Sequence, residues 1–372
     1  MFKRLYVDNY KCLVNFDLEF QDLTLLLGRN GTGKTSVLDI IYALRELLSG
    51  RARIADPEIF PARTLTAWQT RELQVFEVEA KLPSDTFVYR LQIEHNAKNH
   101  LSRISNESLL DADGRPLFEF KGGQVHLYRD NNSAGPDFPA DWTESALARV
   151  APGPDNTRLT RFLEFIRNVL VCGLYPASFE HETTRHDVML ARDSHNFSAW
   201  YQHLQLEQPG QVEQFRKALE DVIDGFSGIR LQKVGRDTRA FTVDFNENGK
   251  RYELGLDQIS DGQRALVALY SLIHLSAGLG YTLFLDEPEN YVALSEIEPW
   301  LAELSDRCGD AIPQAVICSH HPELIDYLGL SSGISLSREP SGVTRATRIE
   351  DSSFTTDGGL RLSEIVARGW DR

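Results

Sequence analysis

Leu23-Thr24-Leu25-Leu26-Leu27-Gly28-Arg29-Asn30-Gly31-Thr32-Gly33-Lys34-Thr35 is the stretch on which the reading of this 372-residue chain turns. Its last eight residues fit G-x-x-x-x-G-K-[ST] in full. The apolar run before them reads as a buried strand, and the amphipathic stretch after them reads as a helix. Glycines let backbone N–H groups turn inward around a phosphate with no Cβ in the way, and the new helix aims its positive dipole end at the same anion. Gly28, Arg29, Asn30, Gly31, Thr32 and Gly33 would then line a phosphate cradle. Lys34 would reach the outer phosphates of a nucleoside triphosphate, and the Thr35 hydroxyl would hold Mg²⁺. The bland alternative is a glycine-rich strand-to-helix turn that happens to spell the pattern.

Working outward, Val37, Leu38, Ile41, Leu44, Leu47 and Leu48 mark one helical face, closed by Gly50. Upstream, Phe2, Leu5 and Val7 predict one strand; Leu13, Val14, Phe16, Leu18 and Phe20 predict another. Residues 51–70 read as an irregular connection. Alternation then predicts strands around 73–80 and 87–93, with strand-like pieces at Leu117–Phe120 and Gln124–Tyr128 and a Gly/Pro/Asn/Asp-rich break from Asp130 to Pro139. From about Trp142 to Phe226 the pattern turns helical, with segments near Thr157–Leu170, Ser198–Leu206 and Gln211–Phe226. Two strands joined through Asn248-Gly249 predict a hairpin. Helices over Gly262–Ala277 and Ile297–Leu304 alternate with buried strands at Tyr281–Leu285 and Ala315–Cys318. The remaining residues suffice for a strand pair and a helix over Leu360–Gly369. No heptads are sustained, so no coiled-coil arm is expected.

A net charge of −15 argues against a generally basic nucleic-acid-coating surface but leaves room for a local basic patch. Cys12, Cys172, Cys308 and Cys318 lie far apart and fit reduced thiols, not a disulfide framework or a zinc site. No run approaches the length of a membrane span, and no signal-peptide pattern opens the sequence, so a soluble cytoplasmic protein with no membrane partner is expected.

Three further constellations carry chemistry. Tyr281-Thr282-Leu283-Phe284-Leu285-Asp286-Glu287-Pro288 is an apolar strand ending in two carboxylates, where a parallel sheet delivers residues to its ligand. Asp286 would join Thr35 around Mg²⁺, and Glu287 would polarise the water that attacks the terminal phosphate. Ile259-Ser260-Asp261-Gly262-Gln263 precedes a helix and is either another anion-binding start or simply an N-cap by Ser260. Ile317-Cys318-Ser319-His320-His321-Pro322 places histidines just after a buried strand, either near a phosphate or merely solvated.

In this order the four stretches resemble the motifs of ATP-binding-cassette ATPases: Walker A, signature, Walker B and switch histidine. The signature departs from L-S-G-G-Q by Ile259 and Asp261, and its wording is similar to the branch containing SMC, RecF and OLD-type ATPases. Asp8-Asn9-Tyr10-Lys11-Cys12-Leu13 and Glu287-Pro288-Glu289-Asn290 look like the same branch. The resemblance covers residues 1–50 and 225–330. It implies an α/β P-loop ATPase head of ABC type, a mixed sheet with flanking helices, formed by residues 1–50 and 225–372. Residues 51–224 would be a compact insertion of strands followed by a helical lobe.

The resemblance also implies ATP and Mg²⁺ as ligands, with two heads bound face to face across the nucleotide as a homodimer or higher oligomer. Lys34, Thr35, Asp286 and Glu287 would act in cis, with His320 sensing the γ-phosphate. Ser260, Gly262 and Gln263 would act on the nucleotide of the second copy. Asp261 would bring an unfavourable charge there unless it pairs with a cation. The function implied is an ATP-hydrolysing switch for a DNA-associated assembly, working with a separate nuclease or effector in anti-phage defence or DNA repair. No acidic cluster that would build a Toprim nuclease follows residue 330. The alternative is the nucleotide-binding subunit of an ABC membrane transporter, which the 224 residues between Thr35 and Ser260 disfavour.

Other residues read blandly. His181-Glu182-Thr183-Thr184-Arg185-His186 misses the metalloprotease spacing and reads as a polar loop; His195-Asn196 reads as a helix cap. Arg51, Arg53 and Arg63 read as a solvated charged face in preference to a nucleic-acid groove.

Overall fold

The computed structural model describes residues 1–96, 101–349 and 361–368. They form two compact units, residues 1–169 with 328–372 and residues 170–327.

The first unit opens with strands β1 (Phe2–Asp8), β2 (Phe16–Glu19) and β3 (Leu23–Leu27), then helix α1 (Lys34–Leu48). β2 is shorter than the alternation predicts. Leu13 belongs to a tight turn in which Tyr10 and Leu13 bridge, although Leu13, Val14 and Phe20 are all buried. α1 ends as a Schellman motif: the Gly50 N–H donates to the Leu47 carbonyl (3.0 Å), the Arg51 N–H to the Glu46 carbonyl (3.1 Å), and Gly50 takes φ 69°. Next come β4 (Leu73–Lys81), β5 (Thr86–Asn96), β6 (Leu101–Asp111), β7 (Pro116–Lys121), β8 (Gln124–Tyr128) and β9 (Ala134–Pro139), followed by α2 (Thr157–Arg167). With β1 and β2 these strands make an eight-stranded antiparallel sheet, ordered β2-β1-β4-β5-β6-β7-β8-β9. Period-two patterning buries Phe76, Val78, Phe87, Tyr89 and Leu91 on one face, and Phe162 of α2 packs 5.6 Å from Phe87 and 5.8 Å from Tyr89.

β9 corrects the expected break at 130–139. Its Ala-Gly-Pro-Asp-Phe-Pro sequence is tolerated because β9 is the sheet's edge and needs one ladder only. β6 was not foreseen either: Ser102, Arg103, Asn106 and Glu107 break the alternation, and the pairing with β5 carries a register shift at Gln92/Ile93.

The second unit begins with β10 (Val169–Gly173), whose first residue is counted with the first unit. β10 corrects the helix expected to run on to Leu170: α2 stops at Arg167, and Val-Leu-Val-Cys is a fully buried strand instead. There follow β11 (Glu182–Thr183), α3 (Phe197–Glu207), α4 (Val212–Val222), β12 (Phe226–Lys233), β13 (Arg239–Glu247), β14 (Lys250–Gly255), α5 (Asp261–His274), β15 (Thr282–Asp286), α6 (Leu294–Arg307) and β16 (Gln314–Cys318). Helix α4 ends before Phe226, because Gly225 at φ 72° turns the chain into β12. The β13–β14 hairpin turns on Asn248 (φ 50°) and Gly249 (φ 79°), the left-handed pair its sequence called for. β10, β15 and β16 lie side by side, the last two parallel and buried on both faces. Phe197, Tyr201, Phe215 and Phe241 knit α3 and α4 to β13 at ring separations of 4.9–6.0 Å.

Helix α7 (Pro322–Ser332) contains the second boundary. The chain returns to the first unit with β17 (Gly333–Arg338), parallel to β3 and antiparallel to β18 (Thr344–Arg348), and ends with α8 (Leu362–Arg368). The expected ends of that helix, Leu360 and Gly369, lie outside the described residues. The chain is thus a mixed α/β protein. Among the described residues no helix exceeds the 15 residues of α1, so no coiled-coil arm is present, and none is long and apolar enough to cross a membrane.

Candidate functional site

Gly28–Thr35 join β3 to α1 in the first unit. Gly28 (φ 145°), Gly31 (φ 82°) and Gly33 (φ 103°) all occupy backbone conformations that side-chain-bearing residues avoid. Space explains two of them. A Cβ on Gly28 would lie 2.5 Å from the Leu336 carbonyl oxygen, and one on Gly33 would lie 3.0 Å from Cys12 Sγ. The opening Asn9–Leu13 segment therefore packs under the loop. It is held there by Asn9 Nδ2, which donates to the carbonyls of Arg71 and Leu73 at 2.8 Å. Thr32 Oγ1 donates to the Arg29 carbonyl (2.8 Å), and Thr344 on β18 donates through Oγ1 to the Thr32 carbonyl (2.9 Å) and through its N–H to the Cys12 carbonyl (3.0 Å).

No side chain caps the start of α1, and its first turn holds no acid, so its N–H groups and dipole are uncompensated. The Lys34 side chain is buried, with Nζ donating to the Gly28 carbonyl at 2.5 Å; Thr35 is exposed at the helix start. Arg29 and Asn30 are also exposed. A positive helix end, an ammonium and a hydroxyl with no competing carboxylate suit a phosphate chain with its magnesium ion. The donor chemistry fits ATP and Mg²⁺.

The second unit holds the remaining candidates. Asp286 ends β15. Glu287 follows at φ 46°, a left-handed conformation costly for glutamate, and its N–H donates to the Cys318 carbonyl at the end of β16 (2.8 Å). This pins its side chain beyond the strand ends. Oε1 lies 2.8 Å from His320 Nδ1, and Oε2 accepts from Asn290 Nδ2 at 3.0 Å. Both partners are accessible, His320 more so (59% against 31%).

Sequence reasoning missed the group beneath this pair. Glu289 is buried, and its Oε1 accepts a hydrogen bond from the Ser319 hydroxyl. Oε2 has no hydrogen-bond partner among the described residues. Burial pushes the Glu289 carboxyl above the usual range, with the Glu287 charge adding to the effect and the Ser319 bond opposing it. Ser319 Oγ in turn accepts from the His321 N–H at 2.9 Å, so Glu289 braces the turn that presents His320. The wording Glu-Pro-Glu-Asn was visible, but a partner thirty positions away was not.

Ser260 is the N-cap of α5, in a capping box with Gln263: its Oγ accepts from the Gln263 N–H (3.2 Å), and Gln263 Oε1 accepts from the Ser260 N–H (3.1 Å). Ser260 remains exposed. Asp261 pairs with Arg264 at 3.2 Å, and Arg264 is anchored by the carbonyls of Leu256 (2.6 Å) and Asp257 (2.7 Å). That pairing offsets the charge that made Asp261 questionable. Gly262 is required by space, since a Cβ there would meet the Tyr291 carbonyl oxygen at 2.9 Å. The start of α5 and the segment following the two carboxylates are therefore in contact.

Two of the bland readings are corrected: in the 181–186 stretch Glu182–Thr183 form β11 against β13, and the Asn196 side chain makes no capping hydrogen bond. His195 pairs with Asp193 (2.6 Å), and Asn196 stands at the N-cap of α3 with its side chain turned to the 187–191 loop. Arg45 is buried against Glu46, and Arg51 shares that carboxylate. Among the described residues no His/Cys/Asp/Glu group could hold a metal on its own.

The family described as "AAA domain, putative AbiEii toxin, Type IV TA system" matches residues 23–326. No curated protein matches the chain. Among solved structures, the chain is similar to an SMC head domain from Thermotoga maritima at 14% identity and a TM-score of 0.49, covering 94% of this chain and 99% of that one. It is also similar to the Smc head domain with an extended coiled coil from Pyrococcus furiosus, crystallised bound to the C-terminal domain of ScpA. That likeness is at 10% identity and a TM-score of 0.49, covering 94% and 96%.

Proposed function

The chain belongs to the AAA-domain family that matches it over residues 23–326, and from that premise we propose that it binds and hydrolyses ATP to switch a dimer. The carrying observation is the uncapped start of α1, with the Lys34 ammonium folded onto its own loop 2.5 Å from the Gly28 carbonyl. A lysine so held needs only to exchange a carbonyl for a phosphate oxygen, a stronger charge-assisted partner.

In this reading Gly28–Gly33 cradle the phosphates through backbone N–H groups, and Lys34 binds the outer two. Thr35 and Asp286 would hold Mg²⁺, which when bound neutralises charge on the phosphates. Glu287 accepts a proton from the attacking water, while His320 orients that carboxylate and senses the γ-phosphate. Ser260, exposed at the start of α5, and the half-buried Gly262 and Gln263 complete the nucleotide site of a second copy. The contact between two copies then exists only while the γ-phosphate does, so hydrolysis releases it. Residues 1–50 and 225–372 form the ATPase head in this reading, and residues 51–224 its insertion.

The setting we propose is genome defence, in a cytoplasmic DNA-associated assembly with a separate effector such as a nuclease. The family's description as a type IV toxin–antitoxin component supports defence over repair. The test is Glu287→Gln. It should bind ATP as tightly as the unmutated chain, fail to hydrolyse it, and hold a long-lived dimer on size-exclusion chromatography with light scattering. Turnover at the unmutated rate sinks the role of Glu287; a chain that stays monomeric with Mg²⁺ and ATP sinks the switch.

A further inference from the structure

The β12–β13 ribbon in the second unit is basic at its tip, in a chain whose net charge is −15. Lys233 and Arg239 stand directly opposite each other in register, a like-charge cross-strand pair that destabilises a ladder. Arg236 sits between them in a turn closed by the Val234 N–H, which donates to the Thr238 carbonyl at 3.1 Å. All three cations are exposed, and none has an ion pair among the described residues, although Asp237 lies in the same turn. Several surface arginines elsewhere are neutralised: Arg90, Arg103, Arg216 and Arg230 each hold a carboxylate at 2.5–2.7 Å. Beside the tip opens a cavity of about 720 Å³, where Gln202 and Gln205 bring amide groups and Leu206 is 64% exposed.

We propose that this ribbon tip is a docking surface for the phosphate backbone of duplex DNA. Three exposed cations without ion pairs, gathered at the turn that joins β12 to β13, match a polyanion, and duplex DNA presents a dense, regular one, about one charge per 1.7 Å of its axis. The cross-strand repulsion is relieved when phosphates lie between the charges. The proposal rests on the DNA association proposed above and is independent of the ATP chemistry.

The test is fluorescence anisotropy with a labelled 30-base-pair duplex at 50 and 200 mM salt. Three phosphate contacts predict that affinity falls about 40-fold across that range. The Lys233→Gln/Arg236→Gln variant keeps one contact, so its affinity should fall only about threefold, from a value about tenfold weaker or more at 50 mM. An Arg53→Gln/Arg63→Gln variant, with the same charge loss in the first unit, should bind as the unmutated chain does. If the ribbon variant binds as tightly as the unmutated chain, the surface is wrong while DNA association stands. If the unmutated chain binds no duplex, both fail and the ATPase reading is untouched. Tighter binding of a single strand, an RNA duplex or polyglutamate overturns the choice of duplex DNA.

Discussion

Glu287 combines a candidate catalytic carboxylate with a backbone that glutamate dislikes, so chemistry and stability should separate there. At φ 46° a side-chain-bearing residue costs about 1–2 kcal/mol relative to its preferred conformations. Glycine escapes that cost but gives up about 0.5–1 kcal/mol through its freer unfolded chain. Glu287→Gly and Glu287→Gln both remove the carboxylate that pairs with His320, a half-exposed contact worth under about 1 kcal/mol, so it cancels in their comparison. The glycine variant should therefore be about 0.5–1 kcal/mol more stable than the glutamine variant, roughly 2 °C in melting temperature. Hydrolysis should fall in both by about 10²- to 10⁴-fold, the usual worth of a positioned general base. Calorimetry without nucleotide and a phosphate-release assay on the same preparations read the two effects. A glycine variant that melts no higher than the glutamine variant refutes the stored strain. One that hydrolyses ATP normally refutes the catalytic assignment.

Lys34→Ala should abolish ATP binding in isothermal titration, and an unchanged dissociation constant would remove the phosphate-loop reading. Mixing Ser260→Arg with Glu287→Gln chains should restore one composite site per dimer. A trapped-nucleotide count no higher than that of Ser260→Arg alone argues against action in trans. Glu107 is fully buried, its Oε1 accepting from the hydroxyls of Tyr89 (2.9 Å) and Ser145 (2.5 Å) and its Oε2 from the N–H groups of Ala146 (3.0 Å) and Leu147 (3.3 Å). Glu107→Gln should cost under about 1 kcal/mol, because both hydroxyls can reverse to accept, whereas Glu107→Leu strands four polar groups and should cost about 3 kcal/mol or more. Equal melting temperatures for the two would contradict this accounting.

The parts of the fold that were legible share one property: their residues answer to neighbours in sequence. Leu23–Leu27, the α1 stripe and Asn248-Gly249 each carry a local pattern that tertiary packing did not need to override. β10 was hidden because Val169–Cys172 continues an apolar run begun by α2, and periodicity cannot separate a short buried strand from a helix end. β9 was hidden because Pro136 and Pro139 argue against a strand until its edge position is known. At the candidate site, the residue types of Glu287 and His320 were readable but their 2.8 Å pairing was not. The Glu289–Ser319 brace and the Asp261–Arg264 pair depend on side-chain directions that no spacing rule supplies.

Thr344 has a consequence for how nucleotide grip can be governed. Its two hydrogen bonds fasten the phosphate loop and the opening segment to β18, more than three hundred positions downstream of the glycines. If Gly28–Thr35 hold phosphates as proposed, prising that late strand away would slacken them without touching one of those residues, and whatever displaces β18 would gain a handle on nucleotide affinity.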